Sequence, residues 1–238
     1  MEVLTELVPK KRLIETLEKL DTLVDGFDIP ESPMGIPKPN AIAIGILIKN
    51  RFSEKSVYPH IRLADVNLVA LSSLAMAAEL GNLDGIIMTR GDKPRYSDII
   101  SYITTEEALE FLRNEMKVSI KLGAIISLRY SLDKIRERIS KPFDLFTILR
   151  LSRNSIDKLM NISKYAKSLG KKIFAYIIIG TSRNIEFIEY TLKQPYVLLP
   201  NTVEFVKEIQ DFVDGIIVSC PLDSETQIEI LKVLQKEL

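Results

Sequence analysis

A single cysteine, Cys220, stands in this chain of 238 residues, so no internal disulfide can form. With no CxxC pair and no Cys/His cluster, structural zinc is not indicated either. Charge of one sign is also missing: Lys plus Arg and Asp plus Glu each total 32. That balance removes a general attraction to nucleic acid or to an anionic membrane. Long apolar runs are absent, since the stretches at 41–48 and 175–179 are too short to cross a bilayer. The first residues carry Glu2, Glu6, Lys10 and Lys11 and lack the apolar core of a signal peptide, which predicts a soluble cytoplasmic protein. No GxGxxG, no P-loop and no GxSxG elbow occurs, so Rossmann or P-loop nucleotide binding and serine hydrolysis are not indicated.

What the chain does contain is regular alternation. Hydrophobic residues make up 46% and charged residues 27%, the balance of an ordinary globular domain. Apolar runs of strand length fall at 3–8, 23–29, 57–63, 85–89, 119–128, 144–151, 173–180 and 215–220. Stretches with helical spacing fall between them, at 10–20, 66–80, 105–116, 154–169 and 225–238. Continuous apolar strands suit a parallel sheet covered by helices on its outer face. Eight of them in this length predict one domain over 1–238, a single (β/α)8 TIM barrel, with an open doubly wound sheet as the alternative. The segment 196–211 reads as an extra short strand and helix before the last strand.

A repeat supports the count. An apolar-Asp-Gly-apolar pattern opens the second, fourth and eighth strands at Asp25, Asp84 and Asp214, with a weaker copy, Asp144-Leu145, at the sixth. The copies recur at steps of about 60 residues, the last one longer, as in a closed array of paired βα units. Asp-Gly also marks turns in its own right, and both readings hold together.

In such a barrel, chemistry gathers at the C-terminal strand ends. Glu6 lies within an otherwise apolar strand, where desolvation raises a carboxyl pKa into the range of a proton donor. The other reading, a solvent-facing strand-end glutamate, stays open. His60, the only histidine, closes the third strand behind Pro59 and reads from pattern alone as a packed residue. The most distinctive segment is Thr89-Arg90-Gly91-Asp92-Lys93-Pro94: Gly91 admits close approach of a flat ligand, and Asp92 can accept two hydrogen bonds from it.

These residues, in this order, resemble the methylenetetrahydrofolate reductase family, of which the chain looks like a short, divergent member. The resemblance rests on Thr5-Glu6-Leu7-Val8-Pro9-Lys10, on 24–35 around Asp28, on Tyr58-Pro59-His60-Ile61-Arg62 and on 80–94. It implies a (β/α)8 barrel reducing a 5,10-methylene-tetrahydropterin to its 5-methyl form. Glu6 is then the general acid and Asp92 the catalytic pterin ligand, with Asp28 and Gly180 also at the substrate. FAD is held by His60, Thr89, Arg90, Gly91, Asp92 and Arg138, and NAD(P)H is the electron donor. The expected partner is folate or a related tetrahydropterin, with neither nucleic acid nor membrane. The second half departs from the pattern. The family's sixth-strand glutamine is replaced by Thr147-Ile148-Leu149-Arg150, and the fifth strand lacks the tyrosine and histidine that contact flavin. An accessory pterin-binding barrel that has lost flavin, or a pterin-dependent methyl transferase, therefore stands as an alternative. Exposed apolar helix faces leave a homo-oligomer or an accessory subunit open.

Overall fold

Hydrogen bonding closes the strands into a ring. The computed structural model describes residues 1–9 and 13–238. Strands β1 (Glu2–Glu6), β2 (Gly26–Ile29), β3 (Ser56–Arg62), β4 (Ile86–Thr89), β5 (Leu122–Ser127), β6 (Leu145–Leu149) and β7 (Lys172–Gly180) pair in order, all parallel. After the two-residue β8 (Val197–Leu198), β9 (Gly215–Ser219) pairs with both β7 and β1 and completes the barrel. The helices are α1 (Leu13–Leu20), α2 (Ala41–Arg51), α3 (Leu68–Leu80), α4 (Thr105–Asn114), α5 (Leu132–Ser140), α6 (Ile156–Ser168), α7 (Thr202–Ile209) and α8 (Ser224–Glu237). The fold is a (β/α)8 barrel. Among the described residues no helix is long and apolar enough to cross a membrane.

Three differences from the sequence reading have physical causes. Helix α2 shows no helical period because its first eight residues, AIAIGILI, are apolar on every side. Helix α5 carries only two buried side chains, Ile135 and Ile139, too few to stand out. Helix α7 is the regular seventh helix rather than an addition; the extra pieces are β8 and a π-helical turn, Phe187–Leu192. The expected first helix, 10–20, is helical from Leu13; positions 10–12 lie outside the described residues.

The Asp-Gly repeat has a double role. Each aspartate accepts the backbone N–H of a residue on the preceding strand: Asp25 from Val3 at 2.7 Å, Asp84 from Val57 at 2.8 Å, Asp144 from Leu122 at 2.7 Å and Asp214 from Ile173 at 2.7 Å. Strand stagger makes level side chains come from alternate strands. The residues after the four aspartates, Gly26, Gly85, Leu145 and Gly215, form the bottom layer. The three glycines leave room for Leu4, Tyr58 and Phe174 above, whose side chains lie 2.8 to 3.1 Å from where a glycine Cβ would stand. Gly26 is the tightest, because a Cβ there would meet the Ser56 carbonyl at 2.1 Å. Gly26→Ala is expected to cost about 3 kcal/mol or more, since backbone rather than a pliable side chain must yield. Urea unfolding measures it, and a change below about 1 kcal/mol would mean that β2 and β3 separate without penalty.

Candidate active site

The period of two carries each inward side chain upward in turn. Above Leu4, Tyr58 and Phe174 lies a layer of Asp28 (β2), Ile87 (β4), Thr147 (β6) and Ile217 (β9). Above that come Glu6 (β1), His60 (β3), Ile125 (β5) and Tyr176 (β7). The core therefore changes from apolar to polar within two layers, toward the C-terminal ends of the strands. Glu6, Asp28, His60 and Tyr176 meet here, with Ser219 at the end of β9.

Glu6 Oε2 accepts a 2.6 Å hydrogen bond from Ser219 Oγ, and the Tyr176 hydroxyl bonds the same carboxyl group. Burial pushes the Glu6 pKa up. The two hydroxyls and the His60 charge pull the other way, Asp28 adds to the rise, and the net shift is upward. The main chain at Glu6 is fixed from behind: Gln227 Nε2 donates to the Glu6 carbonyl at 2.9 Å and to Thr5 Oγ1 at 2.6 Å.

Asp28 is fully buried, with Oδ1 2.8 Å from His60 Nε2. Burial opposes the histidine cation. The Asp28 charge and hydrogen bond, with Glu6 and Glu31, outweigh it and raise the His60 pKa. Four buried atoms at this end of the barrel have no partner among the described residues: Asp28 Oδ2, Thr147 Oγ1, Ser127 Oγ and Gln194 Oε1. Groups of this kind normally bond to protein or water, so they mark where a ligand or water sits. Because His60 is the only histidine, its ring proton resonances report the pair directly. They are expected to titrate above the ordinary histidine value of 6.5, and Asp28→Asn should move the midpoint down. The stability this pair adds is fully present below pH 6.5 and is lost as pH rises through the folded pKa. A midpoint at or below the ordinary value would rule the ion pair out.

A cavity of about 1020 Å³ opens above His60, lined also by Arg62, Thr89, Arg90, Gly91, Asp92 and Arg138. Glu6 does not line it; the partly exposed carboxyl group lies below it, in the same layer as His60. Five expected positions, His60, Thr89, Arg90, Gly91 and Asp92, thus share one wall. Several expected roles change. Asp92 Oδ2 accepts the Met34 N–H at 3.0 Å, leaving Oδ1 for a ligand. Gly91, at φ 80, lies against the Arg62 side chain, 2.9 Å from where its Cβ would stand, so its lack of a side chain serves packing as well. Arg138 donates to the Ile125 carbonyl, to Glu106 at 2.6 Å and to Thr105 at 2.8 Å, which commits the guanidinium within the protein. Gly180 does not reach the cavity: the Tyr196 ring, 2.4 Å from a Cβ there, fills its space. Cys220 is no nucleophile, since burial pushes its thiol up to about 12.

Sequence patterns single out neither Tyr176 nor Thr147, the latter seen only within the stretch that replaces the family's glutamine, nor Lys134 and Lys141. The first two could have been found by stepping two residues up from Phe174 and Leu145. The two lysines line the cavity from α5 and its C-cap, a short, strongly charged helix. Arg62 was noted as polar; the structure makes it the tie between three segments. It donates to Asp65 at 2.6 Å, to the Ser32 carbonyl at 2.9 Å and to the Asp92 carbonyl at 2.7 Å. The loop it holds is strained, with Ser32, Met34 and Gly35 all at positive φ.

No protein-family model and no curated protein matches the chain. Solved structures do. One from Aquifex aeolicus VF5 aligns over 100% of this chain and 91% of its own, at TM-score 0.62 and 16% identity. A mutant tryptophan synthase alpha-subunit from the hyperthermophile Pyrococcus furiosus aligns over 99% and 95%, at TM-score 0.60 and 12% identity. Similarity at this level extends to the fold and stops there.

Proposed function

We propose that this chain is a barrel enzyme that reduces a 5,10-methylene-tetrahydropterin to the 5-methyl form, with Glu6 as the general acid. The observation that carries the reading is Glu6 itself. It is an inward carboxyl with a raised pKa, held by Ser219 and Tyr176, level with His60, one layer above the buried Asp28 and beneath a cavity edged by Asp92.

In the proposed reaction, the Glu6 proton goes to N10 of the methylene bridge. The C–N10 bond breaks with its electron pair going to N10, and a methylene iminium forms at N5. Ser219, Tyr176 and the His60 cation then stabilise the Glu6 carboxylate left behind. Asp92 Oδ1, on the cavity wall, is the acceptor available for the pterin N–H groups, and Asp28 acts from beneath by holding His60. A reduced flavin in the cavity would supply the hydride that completes the methyl group, re-reduced by NAD(P)H. The cavity volume and the Lys134, Lys141 and Arg90 cations fit a flat, anionic cofactor. His60, Thr89, Gly91 and Asp92 would hold its ring.

The commitment of Arg138 favours a second reading, a pterin-binding barrel without flavin. Purified protein decides between them. A flavin absorption band and formation of 5-methyl-tetrahydrofolate from the methylene compound are the expected results. A colourless protein that binds the folate without turnover supports the second reading, and one that neither binds nor reacts removes both.

A further inference from the structure

We propose that the first turn of α8 is a clamp that sets the place of the Glu6 carboxyl group, with Gln227 as the positioning residue; this rests on Glu6 being the acid of the proposed reaction. Glu6, Ser219 and Tyr176 stand on β1, β9 and β7, neighbouring strands of the ring. The β1–β9 ladder ends at Thr5 and Val218, one residue short of the 2.6 Å bond between Ser219 and Glu6. The sheet alone therefore leaves the distance between those two side chains free.

Gln227 fixes it from outside the sheet. Its Nε2 donates to the Glu6 carbonyl at 2.9 Å and to Thr5 Oγ1 at 2.6 Å, both on β1. Its Oε1 accepts the N–H of Cys220, the residue after Ser219, at 3.0 Å. Thr5 Oγ1 carries the link onward by donating to the Val218 carbonyl at 3.1 Å. One amide thus uses both its N–H bonds and its oxygen on the backbone and hydroxyl groups that flank the Glu6–Ser219 contact.

The amide is held in turn. Gln227 lies one turn into α8, and its backbone N–H bonds the carbonyl of the N-cap, Asp223. Asp223 is buried and caps the helix by accepting the Thr226 N–H at 3.3 Å. Its other carboxylate oxygen accepts the Thr181 hydroxyl at 2.9 Å, a bond that capping does not require. Thr181 directly follows β7, the strand of Tyr176. A single helical turn therefore grips the ends of all three strands that carry the acid and its two hydroxyl partners.

The clamp has a consequence for titration. Glu6 is faced by Tyr176 from β7, Ser219 from β9, Asp28 from β2 and His60 from β3. Burial raises its pKa most, and the Ser219 hydrogen bond opposes that rise. Releasing Gln227 loosens the Ser219 bond, so the Glu6 pKa should climb further.

Gln227→Leu tests this, since leucine makes none of the three bonds. It should lower kcat about 10- to 100-fold with KM little changed, as a misplaced acid would. Carboxyl-carbon NMR, with Glu6 assigned by its absence in Glu6→Gln, should show Glu6 titrating higher than in the wild type. In a Ser219→Ala background the same substitution should add little, because the bond it positions is already gone. Thr5→Val, which breaks only the link to Val218, should move the titration in the same direction. Equal losses with and without Ser219, together with a Glu6 titration that neither substitution moves, overturn the proposal and leave Gln227 a structural tie. A wild type without turnover removes the reductase reading instead, and the titration then decides the clamp by itself.

Discussion

Glu6→Gln is expected to lower turnover of the methylene-tetrahydropterin by about 10²- to 10⁴-fold, the usual contribution of a positioned general acid. The amide keeps the size of the carboxyl group and still accepts the Ser219 hydrogen bond through its oxygen, so the barrel mouth should hold its shape. KM should change far less than kcat, since the lost interaction belongs to the transition state. The pH profile adds a second readout. Burial first, then Asp28, raises the Glu6 pKa, so the protonated acid persists to higher pH than an ordinary glutamate allows. Rate should be held at low pH and fall as pH rises through that raised value, and Asp28→Asn should move the fall to lower pH. Ordinary turnover by Glu6→Gln removes Glu6 from its role, and with it the reductase reading.

The fold was more legible in this sequence than the site. Barrel closure could be read because the Asp-Gly repeat recurs at every second strand, and that regularity has one cause: each aspartate anchors the strand before it while the following residue floors the barrel. Helix α2 was illegible for the opposite reason, since a segment apolar on every side has no period to detect. At the site, Glu6 and His60 stood out as polar residues in apolar strands. Their pairing with Ser219 and Asp28 depends on stagger between strands that are distant in sequence, which no local pattern encodes. Asp92 illustrates the limit. Its place on the cavity wall was foreseeable from the turn around Gly91, but its bond to Met34 was not, because that bond joins two different βα loops.

Arg62→Met should destabilise the protein by about 2–3 kcal/mol, the cost of losing a buried guanidinium's charge-assisted hydrogen bonds to partly exposed partners. The side chain is 3% exposed, and three of its nitrogens reach Asp65, Ser32 and Asp92. Methionine fills much of the volume but leaves the part-buried hydrogen bonds to the Ser32 and Asp92 carbonyls unmade. Lysine should not rescue, because one ammonium cannot span a carboxylate and two carbonyls on separate loops. The damage should also be local. The turn at Ser32, Met34 and Gly35 is held at positive φ, and Arg62 is one of the groups holding it. Released, that loop withdraws the Met34 N–H from Asp92, and the cavity loses its shape along the Thr89–Asp92 wall. Urea unfolding would measure the stability loss, and amide exchange at 32–36 and 90–93 should accelerate beyond what global unfolding explains. If stability drops by less than about 1 kcal/mol and exchange there is unchanged, the loops are held by their own backbone bonds and Arg62 is merely packed between them.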